Sequence, residues 1–588
     1  MRDGANKVVV DAAASGSVIS VADLRLTTNG GNHTFEVADG ASAADLTISG
    51  GLNSHFGNER MTKTGAGNLL LSGAATVAGG LTVSAGTFTL GDGGSLSGSI
   101  TNNAALAFDR TVDLTHAGLI GGSGTLAKSG AGSVTLTAAN TYSGGTTVSA
   151  GTLVLGDLAA LGTGGVTVAG GFLDLAGLNP TNAITLAGGD LLNAGSWAPA
   201  SVTVAGAVAA ETLNGLTTSS VNLGDGAVVD LSAVTKDLVL TGSATLSNLG
   251  SYAGTLAVAA GTLDLSDAGN RPAGGLELRA GGTLDFGATE FTGNVTYKGG
   301  AVAGAFSGNL NVSGSGVALS DANLPSGNVV VGNDASVDVS AFTGALALTG
   351  TGAIAAGLET FSGTLILADG GSVNLTAGDG NPGGSAAASV LVDQGGVLAG
   401  TGSVGSLVVA DGGLLAPGNS PGIITAGDTV LLPGGGLELE VLTTGSGIYL
   451  PTAGVDYDSV AVGGFLDLSA LSSANRFIVS LISLSDATTE GDVGDFDPAA
   501  FLTLDVFAVT GAITPGGGSL NEIFLLDLSR FTYGGGITPS SANFSFVDNG
   551  AGVIQLQYSP IPEPSTYGLM LGGLALAGAA MRRRRRKD

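Results

Sequence analysis

Cysteine is absent from all 588 residues, which excludes disulfides, thiolate chemistry and cysteine-based metal sites together. Histidine is nearly absent. His33, His55 and His116 are scattered, none sits in a metal-ligand spacing, and each is read as a surface or corner residue. Trp197 is the single tryptophan and the eight tyrosines are dispersed, so a dedicated lectin built on exposed rings is disfavoured. Basic residues are few: 19 Lys and Arg stand against 47 Asp and Glu, a net charge of −28. Setting aside the six positive charges of Arg582 to Lys587 and the negative charge of Asp588 leaves 13 basic against 46 acidic residues, or −33 for the body. Nucleic acid and anionic membrane surfaces would repel such a body, which excludes DNA or RNA as a partner. An apolar stretch long enough for a secretory signal is also missing between Met1 and Val10.

What is present is glycine, 104 residues or about 18% of the chain against a usual level near 7%, beside abundant Ala, Val, Leu and Thr. The aliphatic content excludes disorder. No strict three-residue glycine period occurs, which excludes collagen. A longer repeat occurs instead: Lys63-Thr64-Gly65-Ala66-Gly67 returns as Lys128-Ser129-Gly130-Ala131-Gly132, 65 positions on, and Thr82 to Asp92 returns as Thr147 to Asp157. Shorter units such as Gly261-Thr262-Leu263-Asp264-Leu265 and Gly282-Thr283-Leu284-Asp285-Phe286 recur at about twenty residues, the length of one coil of a β-solenoid. In Thr152-Leu153-Val154-Leu155 the two-residue alternation puts Leu153 and Leu155 inward, and the same reading places Leu136 and Val148 in the core. Glycine every few residues costs nearly 1 kcal/mol each in a helix interior, so helical alternatives fare badly. The expected fold class is all-β: an elongated parallel β-helix or solenoid, a small C-terminal β-domain and one short C-terminal transmembrane helix.

The unit Lys128 to Asp157 resembles the autotransporter-associated β-strand repeat of exported β-helical passengers. Gly130-Ala131-Gly132, Leu136, Asn140 to Thr146 and Ala150-Gly151-Thr152-Leu153 carry the match. Gly395 to Gly402 and Ala416 to Gly422 look like the distal end of similar passengers. The earlier copy departs from the pattern, with Ala75-Thr76-Val77 where the second has Asn140-Thr141-Tyr142. A membrane β-barrel of a couple of hundred residues would have to follow in a true autotransporter. Here the chain ends in arginines.

Its last residues combine Pro562-Glu563-Pro564, an uncharged stretch from Tyr567 to Met581, and Arg582, Arg583, Arg584, Arg585, Arg586 and Lys587. Fifteen residues at about 1.5 Å span roughly 22 Å of helix, short for a bilayer core of about 30 Å. The basic block stays on the cytoplasmic side and puts everything before Pro562 outside. This order resembles the PEP-CTERM sorting signal of Gram-negative bacteria. The resemblance implies Pro562, Glu563 and Pro564 as the sorting motif, the Arg582 to Lys587 block as stop-transfer, and the membrane-embedded transpeptidase exosortase as a partner. It also implies cleavage near the motif, transient anchoring in the inner membrane and delivery to the cell surface or exterior. Export without a leader predicts that the sequence begins inside the mature protein.

Parallel β-helices also serve as polysaccharide lyases and glycoside hydrolases, which need clustered carboxylates with a nearby base. Asp486, Glu490, Asp492, Asp495 and Asp497 share one loop-like stretch, but their spacing fits neither an EF-hand nor the glycine-aspartate calcium nonapeptide; a solvated acidic loop is expected, with cation binding left open. Asp174, Asp264 and Asp285 each follow a Leu in a repeat unit and are expected to point outward from successive coils. A flat Thr-bearing face would suit ice, but no strict Thr-x-Thr array runs through the chain. The sequence therefore predicts coils over 1–61, repeat-bearing solenoid over 62–440, a capping or membrane-proximal β-domain over 441–559 and the sorting signal over 560–588. The function expected is a non-enzymatic exported solenoid with a structural or adhesive role, without catalytic residues, metal or cofactor, and with extracellular polysaccharide as a second candidate partner. The alternative is a polysaccharide-modifying β-helix enzyme.

Overall fold

The computed structural model describes residues 6–13, 15–194, 201–216, 220–324, 328–376, 389–418, 421–443 and 451–560. The chain is 47% strand and 5% helix, and forms a β-solenoid of about 18 turns. It divides into two units, residues 1–289 and 290–588.

In the first unit, each early coil carries three short strands, and each strand pairs in parallel with its counterpart one coil on. Arg60–Thr64, Asn68–Leu71 and Ala74–Thr76 form one such coil, followed by Leu81–Val83, Thr87–Leu90 and Ser95–Leu96. The register sets Met61 against Leu81, Leu69 against Phe88 and Ala75 against Leu96. A parallel ladder of this kind repeats only because the inward positions are apolar in every coil. Leu69, Phe88, Leu106 and Leu126 stack in one column and all are buried. Each such side chain contributes about 1.5–3 kcal/mol by leaving water. From Thr125–Ser129 onward the coils carry two strands, as in Thr146–Val148 with Thr152–Leu155 and Val166–Val168 with Phe172–Asp174. Leu136, Val148, Leu153 and Leu155 all lie in the core, as the alternation predicts.

The two long repeat copies do not occupy the same side of the coil. Lys63 lies in the ladder of Arg60–Thr64, whereas Lys128 lies in the ladder that continues from Asn68–Leu71 through Thr87–Leu90 and Ala105–Asp109. Sixty-five residues thus amount to three coils of about twenty plus one side, so the repeat turns around the solenoid as it advances.

Corners follow a rule of their own. At several of them an aromatic ring two residues before a glycine folds back over that glycine's Cα: a Cβ on Gly254 would lie 2.6 Å from the Tyr252 hydroxyl, one on Gly293 2.5 Å from Phe291 and one on Gly344 2.5 Å from Phe342. Glycine is required there by space. In successive coils of the second unit the corner rings stack, Phe291 on Phe306 at 6.0 Å and Phe342 on Phe361 at 6.3 Å.

In that second unit the parallel ladders run past residue 440. Ile423–Ala426 pairs with Ser459–Val462 and that with Leu502–Val509, while Gly436–Val441 pairs with Phe477–Asp486 and that with Phe524–Arg530. Strand direction reverses in the short hairpin of Phe477–Asp486 with Thr489–Glu490 and again at the end, where Val553–Tyr558 runs antiparallel to both Leu502–Val509 and Phe544–Asp548. This final hairpin covers a ladder edge that would otherwise offer unpaired backbone groups. Among the described residues no helix is long and apolar enough to cross a membrane. The expected span Tyr567 to Met581 lies outside them.

Candidate functional site

No group of three or more His, Asp or Glu positioned for a metal occurs among the described residues. The acidic stretch shows why. Asp486 accepts the amide and hydroxyl of Thr488, Asp492 accepts the amides of Gly535 and Gly536, and Asp497 accepts the amide of Ala499. Glu490 instead pairs with Arg530, which also reaches Glu438 at 2.5 Å. Asp495 meets the Thr443 hydroxyl. Asp486 and Asp497 are used by their own turns, Glu490 by an ion pair, and Asp492 and Asp495 by groups of other segments, and the hydrogen bonds hold Asp486, Glu490 and Asp492 below the ordinary carboxylate range. The aspartates in the repeat units act the same way: Asp174, Asp264 and Asp285 accept the amides of Ala176, Ser266 and Gly287, two residues on. Asp264 is exposed, whereas Asp174 and Asp285 are half-buried, so they cap corners more than they form an outward stripe.

The histidines need one correction. His116 is buried at 2% exposure, inward at the end of Leu114–His116 and in register with Leu136, and packs at 5.7 Å from Phe108. Burial pushes its pKa down, which keeps the imidazole neutral in the core. His33 is half-buried and His55 is exposed. Three side chains from three places in the coil stack give no catalytic constellation.

Two buried lysines were not anticipated by polarity. Lys63 and Lys128 are completely buried at inward strand positions, Lys63 between Phe35 and Val83 and Lys128 between Phe108 and Val148 in the ladders. The Lys63 ammonium donates to the carbonyls of Thr64 at 2.9 Å, Gly65 at 2.8 Å and Ala85 at 3.0 Å. Lys128 does the same to Ser129 at 2.8 Å, Gly130 at 2.7 Å and Ala150 at 3.1 Å. All three protons of each ammonium are therefore used, which is how a buried charge is tolerated. Each lysine ties its own glycine corner to the Ser-Ala-Gly corner of the next coil. Burial pushes Lys63 down to about 8 and lowers Lys128 in the same direction. Replacing Lys128 with Met should leave these carbonyls without a donor and weaken the local coils by about 2 kcal/mol, whereas Lys298→Met, at an exposed position, should change little. Hydrogen exchange of the amides in Ser133–Leu136 and Thr152–Leu155 measures the difference.

The outward positions make the surfaces that a partner would meet. In the first unit Thr147, Thr167, Thr185 and Thr203 fall in one register column of adjacent strands, and Asn222 continues it. Adjacent parallel strands stand about 4.8 Å apart, so this is an evenly spaced, uncharged row of hydroxyls. In the second unit the corresponding outward column is aliphatic: Val330, Ala347, Ile366, Leu391, Val408 and Val430 follow one another, all half-buried. Sequence reading missed both columns. The signal was the recurring three-residue strand, seen in Val166-Thr167-Val168, Ile184-Thr185-Leu186 and Val202-Thr203-Val204.

One buried acid stands apart from the turns. Asp458 is fully buried and accepts the amides of Gly422 at 2.6 Å and Glu440 at 2.8 Å, joining the loop after Leu414–Pro417 to the strand Gly436–Val441. Burial pushes it up to about 8 against the pull of those two amides. It is a structural latch between coils.

The sorting residues Pro562, Glu563 and Pro564 and the block Arg582 to Lys587 lie outside the described residues, as does Trp197. The last described strand, Val553–Tyr558, leads directly to them.

Comparison with known proteins agrees with this geometry. Residues 61–90 and 122–155 match the passenger-associated-transport-repeat model, and these spans contain the two buried lysines. Residues 560–586 match the PEP-CTERM protein-sorting motif. A stretch of 137 residues is 31% identical to the adhesin BmaC autotransporter of Brucella suis biovar 1 (strain 1330), covering 17% of this chain and 4% of that protein. The chain spans only this small part of its relative's length. Solenoid coils, passenger repeats and a sorting motif together make this an exported, cell-surface β-solenoid of a Gram-negative bacterium.

Proposed function

We propose that the protein is a non-enzymatic structural and adhesive solenoid of the cell surface or extracellular matrix, delivered there by exosortase acting on its C-terminal tail after transient anchoring in the inner membrane. The observation that carries the adhesive reading is the pair of uncharged outward columns, Thr147 to Asn222 and Val330 to Val430, on a chain of net charge −28. A repetitive, uncharged face lets many weak contacts act together on a repetitive partner, and extracellular polysaccharide has that character. The similarity to a protein named as an adhesin supports the same reading. The scattered histidines and the carboxylates consumed by turns favour it over a lyase or hydrolase, whose acid and base must face a common substrate.

The exported protein should co-sediment with the extracellular polysaccharide of its own host without shortening it. Thr167→Glu with Thr185→Glu, at outward positions where the coils tolerate polar groups, should weaken that binding severalfold. Depolymerisation that disappears when one carboxylate is replaced would establish the enzyme reading instead.

A further inference from the structure

The tail's point of departure carries an apolar feature that neither the coils nor their repeat explains. Of 19 Phe, 8 Tyr and one Trp in the chain, twelve fall between residues 451 and 560, so the rings concentrate at the end next to the tail. Several form one cluster: Phe496 lies 5.5 Å from Phe531, 4.9 Å from Tyr533 and 5.1 Å from Tyr558, and Tyr558 lies 4.9 Å from Phe544. Packing against this cluster accounts for those rings. It does not account for Phe501, which is 80% exposed, more than any other large hydrophobic residue among those described.

Phe501 ends the loop Asp497-Pro498-Ala499-Ala500-Phe501, and Pro498 to Phe501 are exposed and uncharged. That loop is fixed to the strand from which the tail departs. The Tyr558 hydroxyl donates to the Pro498 carbonyl at 2.9 Å, and Leu502 is in register with Tyr558 in the antiparallel ladder. Phe501 therefore sits beside the exit of the chain. From Pro560 to the start of the apolar stretch at Tyr567 only six residues intervene, so the two can lie at most about 25 Å apart. A tail held in a bilayer keeps this end of the body within that distance of the lipid.

We propose that the loop Asp497 to Phe501 is a lipid-contacting face, which rests on the periplasmic side of the inner membrane with the Phe501 ring inserted in the headgroup region while the tail is attached. The partner is the bilayer surface itself. An aromatic ring flanked by small uncharged residues suits the interface, where its apolar body leaves water without crossing the membrane. The net charge of −28 makes a zwitterionic surface the favourable one. Cutting the tail removes the tether, and a single ring does not hold the protein to lipid alone, so the contact would be made before processing and lost after it. The inference rests on the reading of the tail as an anchor.

Full-length protein with Phe501→Trp in a Trp197→Phe background, reconstituted with phosphatidylcholine vesicles, separates the two readings. Flotation with the vesicles reports the tail; fluorescence of the introduced indole reports the loop. The proposal expects the protein to float, the emission to move to shorter wavelength, and headgroup-proximal brominated lipid to remove most of it. Flotation with emission unchanged from water overturns the lipid contact and leaves the anchor intact. Failure to float overturns both. If emission is unchanged in vesicles but shifts when exosortase is co-reconstituted, the loop contacts the processing enzyme and the lipid proposal is overturned.

Discussion

Replacing Leu153 with Asp should unravel the coils around it, with a loss of at least about 3 kcal/mol. Leu153 is fully buried in Thr152–Leu155, between Val134 of the preceding coil and Leu173 of the following one, and both of those are also fully buried. The column is apolar on both sides of Leu153, and the nearby Lys128 ammonium is already committed to three backbone carbonyls, so an aspartate there would either carry a poorly compensated charge or take up a proton at a cost. The missing isobutyl group would also leave a void that parallel strands, fixed above and below, cannot close. Thr135→Asp, on the outward face of the neighbouring strand, should stay within about 0.5 kcal/mol of wild type. Thermal melting followed by hydrogen exchange distinguishes the two. A Leu153→Asp protein as protected as Thr135→Asp would show that the inward and outward faces have been exchanged.

The second large effect is expected at the tail. Changing Pro562, Glu563 and Pro564 together to alanine should convert an exported protein into one retained in the membrane fraction at its full mass. Two prolines fix φ, remove two amide donors and cannot join a helix interior, so on the proposed reading they would keep the segment before Tyr567 out of an apolar helix and open to an enzyme at the membrane face. Alanines, which favour helix, would let such a helix extend. The Arg582 to Lys587 block is unchanged in such a variant and, on the proposed reading, would still arrest translocation. Fractionation of a host containing exosortase reads the result directly: release of the alanine variant at the wild-type rate would mean that the motif is not the recognition element.

The alternation that placed Leu136, Val148, Leu153 and Leu155 in the core was legible because a β-strand has a two-residue period and each strand holds only three or four residues. Lys63 and Lys128 were hidden because a lysine on a strand reads as a solvent-facing residue; only its position, two after the inward Met61 or Leu126, signals that it points inward. His116 was hidden for the same reason, since it lies two after Leu114. The outward columns were hidden by a different cause. Thr147, Thr167, Thr185 and Thr203 come together only once the register between coils is known, and that register depends on corner lengths that vary from coil to coil. Continuation of the coils past residue 440 escaped notice because insertions stretch the period there: Ile424 pairs with Val460 and Val460 with Phe507, well beyond the twenty-residue spacing of the repeat units. The Phe501 loop carries no repeat at all. Its meaning comes from Tyr558, sixty residues away in sequence and one hydrogen bond away in space.

Export by way of a removable tail is the claim on which the placement of the adhesive faces and of the Phe501 loop depends. Intact-mass spectrometry of the protein collected from outside its native host tests it most directly. The account predicts a mature chain whose C-terminus lies near Pro562-Glu563-Pro564 and which lacks every residue from Tyr567 to Asp588. A secreted chain that still carries Arg582 to Asp588 would contradict it.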